Sequence, residues 1–211
     1  WLDFSPETFE FDLAQVGNIV TERTRLVAVG YASNVTGTIN NVKAIAAAAK
    51  DASGGKALVY VDAVQFAPHG VIDVQDIGCD FLVCSAYKLY GPHCGLLWGK
   101  REHLERLTAY KVRAATEELP SKFVTGTTNR EELAGIMGAI EYYEWLGKNF
   151  GGATNPALTR RQRIVAGVEA MLRHDHDLAE RLIAGLSQVK NLRIMGITDR
   201  AAFSRRVPTV S

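Results

Sequence analysis

Cysteine is scarce in this chain, with three in 211 residues: Cys79, Cys84 and Cys94. An odd count without paired, metal-like spacing excludes a disulfide framework and argues for a reducing compartment, expected to be the cytoplasm. Cys79 and Cys84 flank or lie in an apolar run and are expected in the core. Cys94, in Gly91-Pro92-His93-Cys94-Gly95, is expected to pack as well. No apolar run approaches the length of a membrane span. The opening Trp1-Leu2-Asp3-Phe4 reads as neither the charged nor the apolar region of a signal peptide. Excess charge is also missing: 24 Lys and Arg face 23 Asp and Glu, a net +1, so nothing favours a nucleic-acid partner electrostatically. No G-x-G-x-x-G follows a predicted strand, which speaks against a nicotinamide-binding domain. Repeats and low-complexity tracts are absent. His174-Asp175-His176-Asp177 gathers metal-capable side chains, but adjacent helical positions point in different directions, so no metal is expected.

What is present is an apolar content of 47%, enough to bury a core, arranged in alternating strand and helix patterns. Residues 12–23 read as a helix, Thr24 to Tyr31 as a strand, and Val42 to Ala52 as a helix after a polar, glycine-containing loop. Ala57 to Gln65 and Cys79 to Cys84 are apolar runs of buried-strand length. Cys94 to Lys100 looks like a further strand, and Arg101 to Tyr110 like a short surface helix. Residues 111–128 form a long polar loop. Glu131 to Leu146 is an amphipathic helix with Ile136, Ile140 and Tyr143 at helical spacing. Breakers from Gly147 to Pro156 mark a boundary, a long helical region spans Thr159 to Val189, and Asn191 to Met195 and Arg206 to Ser211 read as strands. The βα alternation implies an α/β fold with a mostly parallel sheet.

In such a sheet ligands bind beyond the carboxyl ends of the strands. Lys88, in Ser85-Ala86-Tyr87-Lys88-Leu89-Tyr90-Gly91, falls just past one of those ends. A lysine becomes a nucleophile once it loses its proton, which burial or conjugation as an imine achieves. Asp62 ends the strand Leu58-Val59-Tyr60-Val61, and alternation places Asp62 and Val64 on one side, an acid and an apolar contact able to face one planar ligand. Asn34 follows a third strand, so each strand end supplies one candidate. For each there is a bland reading: a solvated loop lysine, a capping acid, a turn asparagine.

Three blocks taken together carry a resemblance: Tyr60-Val61-Asp62-Ala63-Val64-Gln65, then Ser85-Ala86-Tyr87-Lys88-Leu89-Tyr90-Gly91-Pro92, then Gly126-Thr127-Thr128-Asn129. In order and spacing they resemble the pyridoxal-phosphate enzymes of aminotransferase class V, in the cysteine desulfurase and selenocysteine lyase-like branch. The resemblance implies a fold-type-I transferase, its mostly parallel sheet sandwiched by helices. Residues 1–150 would belong to the large cofactor-binding domain, 151–158 to a linker, and 159–211 to part of a smaller C-terminal α/β domain. It implies that Lys88 forms the internal aldimine with pyridoxal 5'-phosphate and later moves protons on the substrate. Asp62 would pair with the pyridine nitrogen, Gln65 would hydrogen-bond the phenolic oxygen, and Val64 would lie against the ring. Asn34, in a loop resembling the family's "SN…GT" segment, would lie beside the cofactor oxygen and the substrate carboxylate.

Ser85 and Tyr87 would contact the phosphate, and Thr127 with the Gly126 backbone would reach a neighbour's phosphate across a homodimer. The pattern departs from the family at Val64, where a small residue is usual, at Tyr87, where desulfurases commonly have histidine, and at Thr128, where proline is frequent. The implied reaction is C–S or C–Se cleavage in a small amino acid. A class V aminotransferase or epimerase, and an inactive scaffold or truncated fragment, stay open as alternatives. Compared with the family, the upstream phosphate loop, the ring-stacking aromatic residue, the carboxylate-anchoring arginine and the sulfur-accepting cysteine are missing, so the chain is expected to be an interior piece of a longer protein.

Overall fold

The computed structural model describes every residue except Glu7 and Thr125. Four strands, β1 (Leu26–Gly30), β2 (Leu58–Asp62), β3 (Phe81–Ser85) and β4 (Gly95–Gly99), form one sheet in the order β1-β2-β3-β4. The first three are parallel: Leu26 lies opposite Leu58 and Gly30 opposite Asp62, and Asp62 lies opposite Val83. β4 returns antiparallel, with Ser85 opposite Gly95. The alternation of β2 sends Val59 and Val61 into the interior, where both are fully buried. Each such valine contributes roughly 1.5–3 kcal/mol.

That interior is closed by α2 (Val42–Ala52), whose Val42, Ile45, Ala46 and Ala49 recur at helical spacing and pack against Val29, Val59, Val61 and Leu82. The Asn41 side chain accepts from the Ala44 N–H and starts this helix, and Gly54 and Gly55, both at positive φ, end it. Short helix α3 (Val74–Ile77) is capped by Asp73 and adds Ile77 to the same core. Among the described residues no helix is long and apolar enough to cross a membrane.

Two long helices, α5 (Arg130–Asn149) and α6 (Arg160–Leu186), pack against each other more extensively than any other pair of elements. Their backbones nearly touch: a Cβ on Gly147 would fall 1.8 Å from the Arg163 carbonyl oxygen, and one on Gly167 would fall 2.1 Å from that of Tyr143. Beside this crossing Glu144 accepts from Arg163 at 2.7 Å and Arg160 at 3.1 Å, and pairs with Lys148. Those bonds, from Lys148 and Arg163 above all, hold its carboxyl down at about 2.

Several elements differ from the sequence reading. α1 covers Ala14–Ile19 rather than 12–23, because the Asp12 side chain takes the Ala14 N–H and the Thr21 N–H turns to the Thr24 hydroxyl, a local bond that competes with the helix. α4 (Arg101–Arg106) stops short of Tyr110: Lys122, itself buried, donates to the carbonyls of Leu104 and Glu105 and satisfies the last turn from outside. α5 runs further than expected at both ends, its start set by the Asn129 cap. α6 opens on a Thr159/Gln162 capping box and ends at Leu186. Residues 191–195 and 206–211 do not form strands. Residues 191–195 meet residues 206–211 through the bond from the Met195 N–H to the Ser211 carbonyl, and Arg206 makes an isolated bridge to Thr38. In the second segment Val207 is buried beside Ala32 and Phe66 instead of pairing in the sheet.

Candidate active site

Parallel register brings the ends of β1, β2 and β3 to one level. At β2 the Asp62 carboxylate accepts from the Val64 N–H at 2.9 Å, which folds the chain over the strand end and places Val64 and Gln65 beside it. At β1 the Ser33 hydroxyl accepts from the Val35 and Thr36 N–H groups at 3.2 and 3.1 Å, and Asn34 rides exposed on that turn. At β3 the chain leaves Ser85 through a 3-10 turn, Ala86–Leu89, that carries Lys88. Tyr90 closes that turn at φ +63°, with the Gly91 N–H bonded to the Ala86 carbonyl at 2.8 Å. Its hydroxyl reaches the Met171 sulfur on α6 at 3.3 Å, so the lysine turn is held from outside the sheet.

A cleft of about 710 Å³ opens at this edge, and Asn34, Asp62, Val64, Gln65, Tyr87 and Lys88 all line it. Lys88 Nζ donates to Gln65 Oε1 at 3.4 Å and lies 5.7 Å from the centre of the Tyr87 ring, which stacks on His93. Of the expected residues, Ser85, Gly126 and Thr127 do not line the cleft, the last two being expected to serve a second copy. Ser85 is the last residue of β3. Gly126, at φ +74°, and Thr127 are exposed in the loop before α5. The cleft also takes in residues that no strand-end pattern selects, among them Phe4, Phe9, Phe11 and Met195, and it leaves out Cys94. Among the described residues no three His, Cys, Asp or Glu side chains gather as a metal site.

A second pair stands near the lysine turn. His69 Nδ1 lies 3.2 Å from Asp175 Oδ2, joining the segment after Gln65 to α6. Burial pushes the His69 pKa below its ordinary value, and the bond to Asp175 offsets only part of that.

The aminotransferase class-V family model matches residues 5–210. The chain belongs to that family. It is 32% identical over 207 residues to a cysteine desulfurase of Pectobacterium atrosepticum, covering 92% of this chain and 45% of that protein. It is 34% identical over 205 residues to an aminotransferase-like protein of Gibberella zeae, covering 96% of this chain and 46% of the relative. The chain therefore spans less than half the length of these relatives. Among solved structures, the apo structure of a cysteine desulfurase from Thermococcus onnurineus NA1 superposes with a TM-score of 0.80 at 24% identity, over all of this chain and 49% of the other. The sheet and its helices are thus the fold-type-I arrangement of the class V family, represented here in part.

Proposed function

We propose that this chain provides the lysine-bearing part of a pyridoxal-phosphate enzyme that breaks a C–S or C–Se bond in a small amino acid, as a cysteine desulfurase or selenocysteine lyase does. The observation that carries the reading is the meeting of Lys88, Asp62, Gln65 and Asn34 in one cleft at the carboxyl edge of the parallel strands. The donor set fits the ring of the cofactor: an amine for its carbonyl, a carboxylate for its pyridinium, an amide for its phenolic oxygen and Val64 for its face. Its phosphate would rest on Tyr87 in the cleft and on Ser85 at the end of β3, just outside the cleft's lining, and on Gly126 and Thr127 of a second copy in a cytoplasmic homodimer. When bound, the cofactor supplies an electron sink for the charge left on a substrate carbon.

The chain's own residues do the rest. Lys88 would hold the cofactor through its amine and, positioned at the cleft beside Gln65, would take and return a proton at the substrate carbon. The Asp62 carboxylate would hold the ring nitrogen and favour its protonated form. Asn34 orients the substrate carboxylate through its amide. Phe4, Phe9, Phe11 and Met195 line the cleft with apolar surface, which lowers the local polarity and strengthens each of these electrostatic contacts. A class V aminotransferase is the second reading, favoured by the aminotransferase-like relative at 34% identity.

The test is borohydride reduction of the purified protein with pyridoxal phosphate, followed by peptide mass mapping. A single phosphopyridoxyl group on Lys88, missing in Lys88→Ala, is expected. Labelling scattered over surface lysines would overturn the reading. Sulfide release from cysteine, against keto-acid formation alone, then separates the two reactions.

A further inference from the structure

Gln65 touches more than the lysine. Its Nε2 donates to the Thr209 hydroxyl oxygen at 2.7 Å, a bond spanning 144 positions of sequence. A carboxamide has an accepting end and a donating end. With Nε2 committed to Thr209, Oε1 is the end that faces Lys88 Nζ at 3.4 Å. Turned over, the amide would set its NH2 against an ammonium, donor against donor.

Thr209 is itself held in place by an unusual construction. Arg206 is 1% exposed, and among the described residues no carboxylate pairs with it. Its guanidinium instead donates to the backbone carbonyls of Ile197 and Thr209, and through Nε to that of Val207 at 3.3 Å. A buried cation without a counter-ion is costly to keep, so the carbonyls it gathers need a reason. The same segment bonds the β1 loop twice, Ile39 N–H to the Arg205 carbonyl at 2.9 Å and Val207 N–H to the Gly37 carbonyl at 2.8 Å. At Gly37, φ is +76° and a Cβ would stand 2.7 Å from the carbonyl oxygens of both Val207 and Thr209, an approach that only glycine permits.

We propose that Thr209 is a positioning residue for Lys88, acting through Gln65, and that the Arg206 clamp holds Thr209 there. This deepens the proposed function, since it takes Lys88 as the reacting lysine. By this arrangement the C-terminal segment, which also bonds the Met195 backbone through Ser211 at 2.9 Å, joins one wall of the cleft to the orientation of the group that works in it.

The experiment compares Thr209→Val, which keeps the shape and loses the hydroxyl, with Thr209→Ser, which keeps the hydroxyl. Both are read without cofactor or substrate, by the NMR signals of the Gln65 carboxamide and by the rate at which acetic anhydride acylates Lys88. Exposed Lys43 and Lys56 serve as internal references on the mass map. In Thr209→Val the carboxamide signals shift and exchange faster, and Lys88 is acylated roughly threefold faster, the effect of losing one weak acceptor of its ammonium. Thr209→Ser restores both. Gln65→Leu gives the same acceleration, and the double variant gives no more, because the two residues act in one chain. Wild-type carboxamide signals and acylation in Thr209→Val, or additive accelerations, would refute the positioning role. A wild-type protein that forms no adduct on Lys88 with pyridoxal phosphate would refute the function instead, and would leave the coupling to stand or fall on acylation alone.

Discussion

Asp80 lies at the amino-terminal edge of β3, away from the cleft, and its replacement by asparagine tests what secures the sheet. The carboxylate is 1% exposed. Oδ2 accepts from Lys50 Nζ at 2.7 Å and from the Val59 N–H at 2.8 Å, and Oδ1 accepts from Lys100 Nζ at 2.7 Å and lies 3.2 Å from His103 Nε2. An asparagine in its place would keep the shape and one acceptor while its NH2 met a cation. A hydrogen bond to a charged group is worth roughly 1.5–3 kcal/mol. The two lysines are 33% and 34% exposed, so each regains water when released and the pair counts for about one such bond. Adding the amide left against an ammonium brings Asp80→Asn to about 3 kcal/mol at pH 7, the lower end for breaking a buried charged group. Urea unfolding followed by circular dichroism measures it.

The pH dependence makes the test sharper. Burial alone would raise the Asp80 pKa, but the bonds from Lys100, Lys50, Val59 and His103 overcome it and hold the carboxyl well below the usual range. A folded pKa below the unfolded value of about 3.9 means that the contribution is complete above that pH and is lost as pH falls through the folded value. The gap between the wild type and Asp80→Asn therefore stays constant from neutral pH to about 5 and closes in stronger acid. A difference under about 1 kcal/mol, or one that does not narrow in acid, would refute the account.

Two further outcomes follow from contacts already described. Gly167→Ala forces α6 away from the Tyr143 carbonyl, where a Cβ would stand at 2.1 Å, and is expected to cost about 3 kcal/mol in urea unfolding; an unchanged midpoint would mean that the helices are not locked at this crossing. His69 is held below its ordinary pKa by burial, so the unfolded chain takes up its proton first and stability falls as pH drops below about 6.5. His69→Gln should flatten the stability curve between pH 7 and 5, and a curve parallel to the wild type would count against that assignment.

The parallel core was legible because its strands are short and continuously apolar, and because α2 follows a polar, glycine-containing loop. Helix ends were less legible where the decisive partner is remote: nothing around Leu107 announces that Lys122 will cap the last turn of α4. Residues 191–195 and 206–211 have strand-like composition, yet a strand needs a neighbour to pair with. Here the Arg206 guanidinium gathers backbone carbonyls and Gly37 permits a close approach, instead of a ladder. Asn34, Asp62 and Lys88 could be picked out because each follows a strand, and parallel strands bring such positions together. Met195 and the three phenylalanines reach the cleft, and Thr209 reaches Gln65, through tertiary packing, which leaves no local periodicity to read.

The two aspartates beside β2 and β3 show why position along the strand matters more than residue type. Asp80, before β3, is surrounded by two lysines, a histidine and a backbone N–H, so all of its accepting capacity is spent on holding the fold. Asp62, at the far end of β2, is exposed, and among the described residues only the Val64 N–H donates to its carboxylate. Its remaining lone pairs face a cleft that also holds the lysine. An acid saturated by its own protein cannot be shared with a ligand, whereas one with a single local bond can. In the Asp80→Asn variant stability should therefore fall while the labelling of Lys88 by pyridoxal phosphate persists in the fraction that remains folded. Asp62→Asn should leave unfolding within about 0.5 kcal/mol of the wild type and weaken retention of the cofactor. If instead Asp62→Asn destabilised the chain as much as Asp80→Asn, the division between a structural and a chemical edge of the sheet would be wrong.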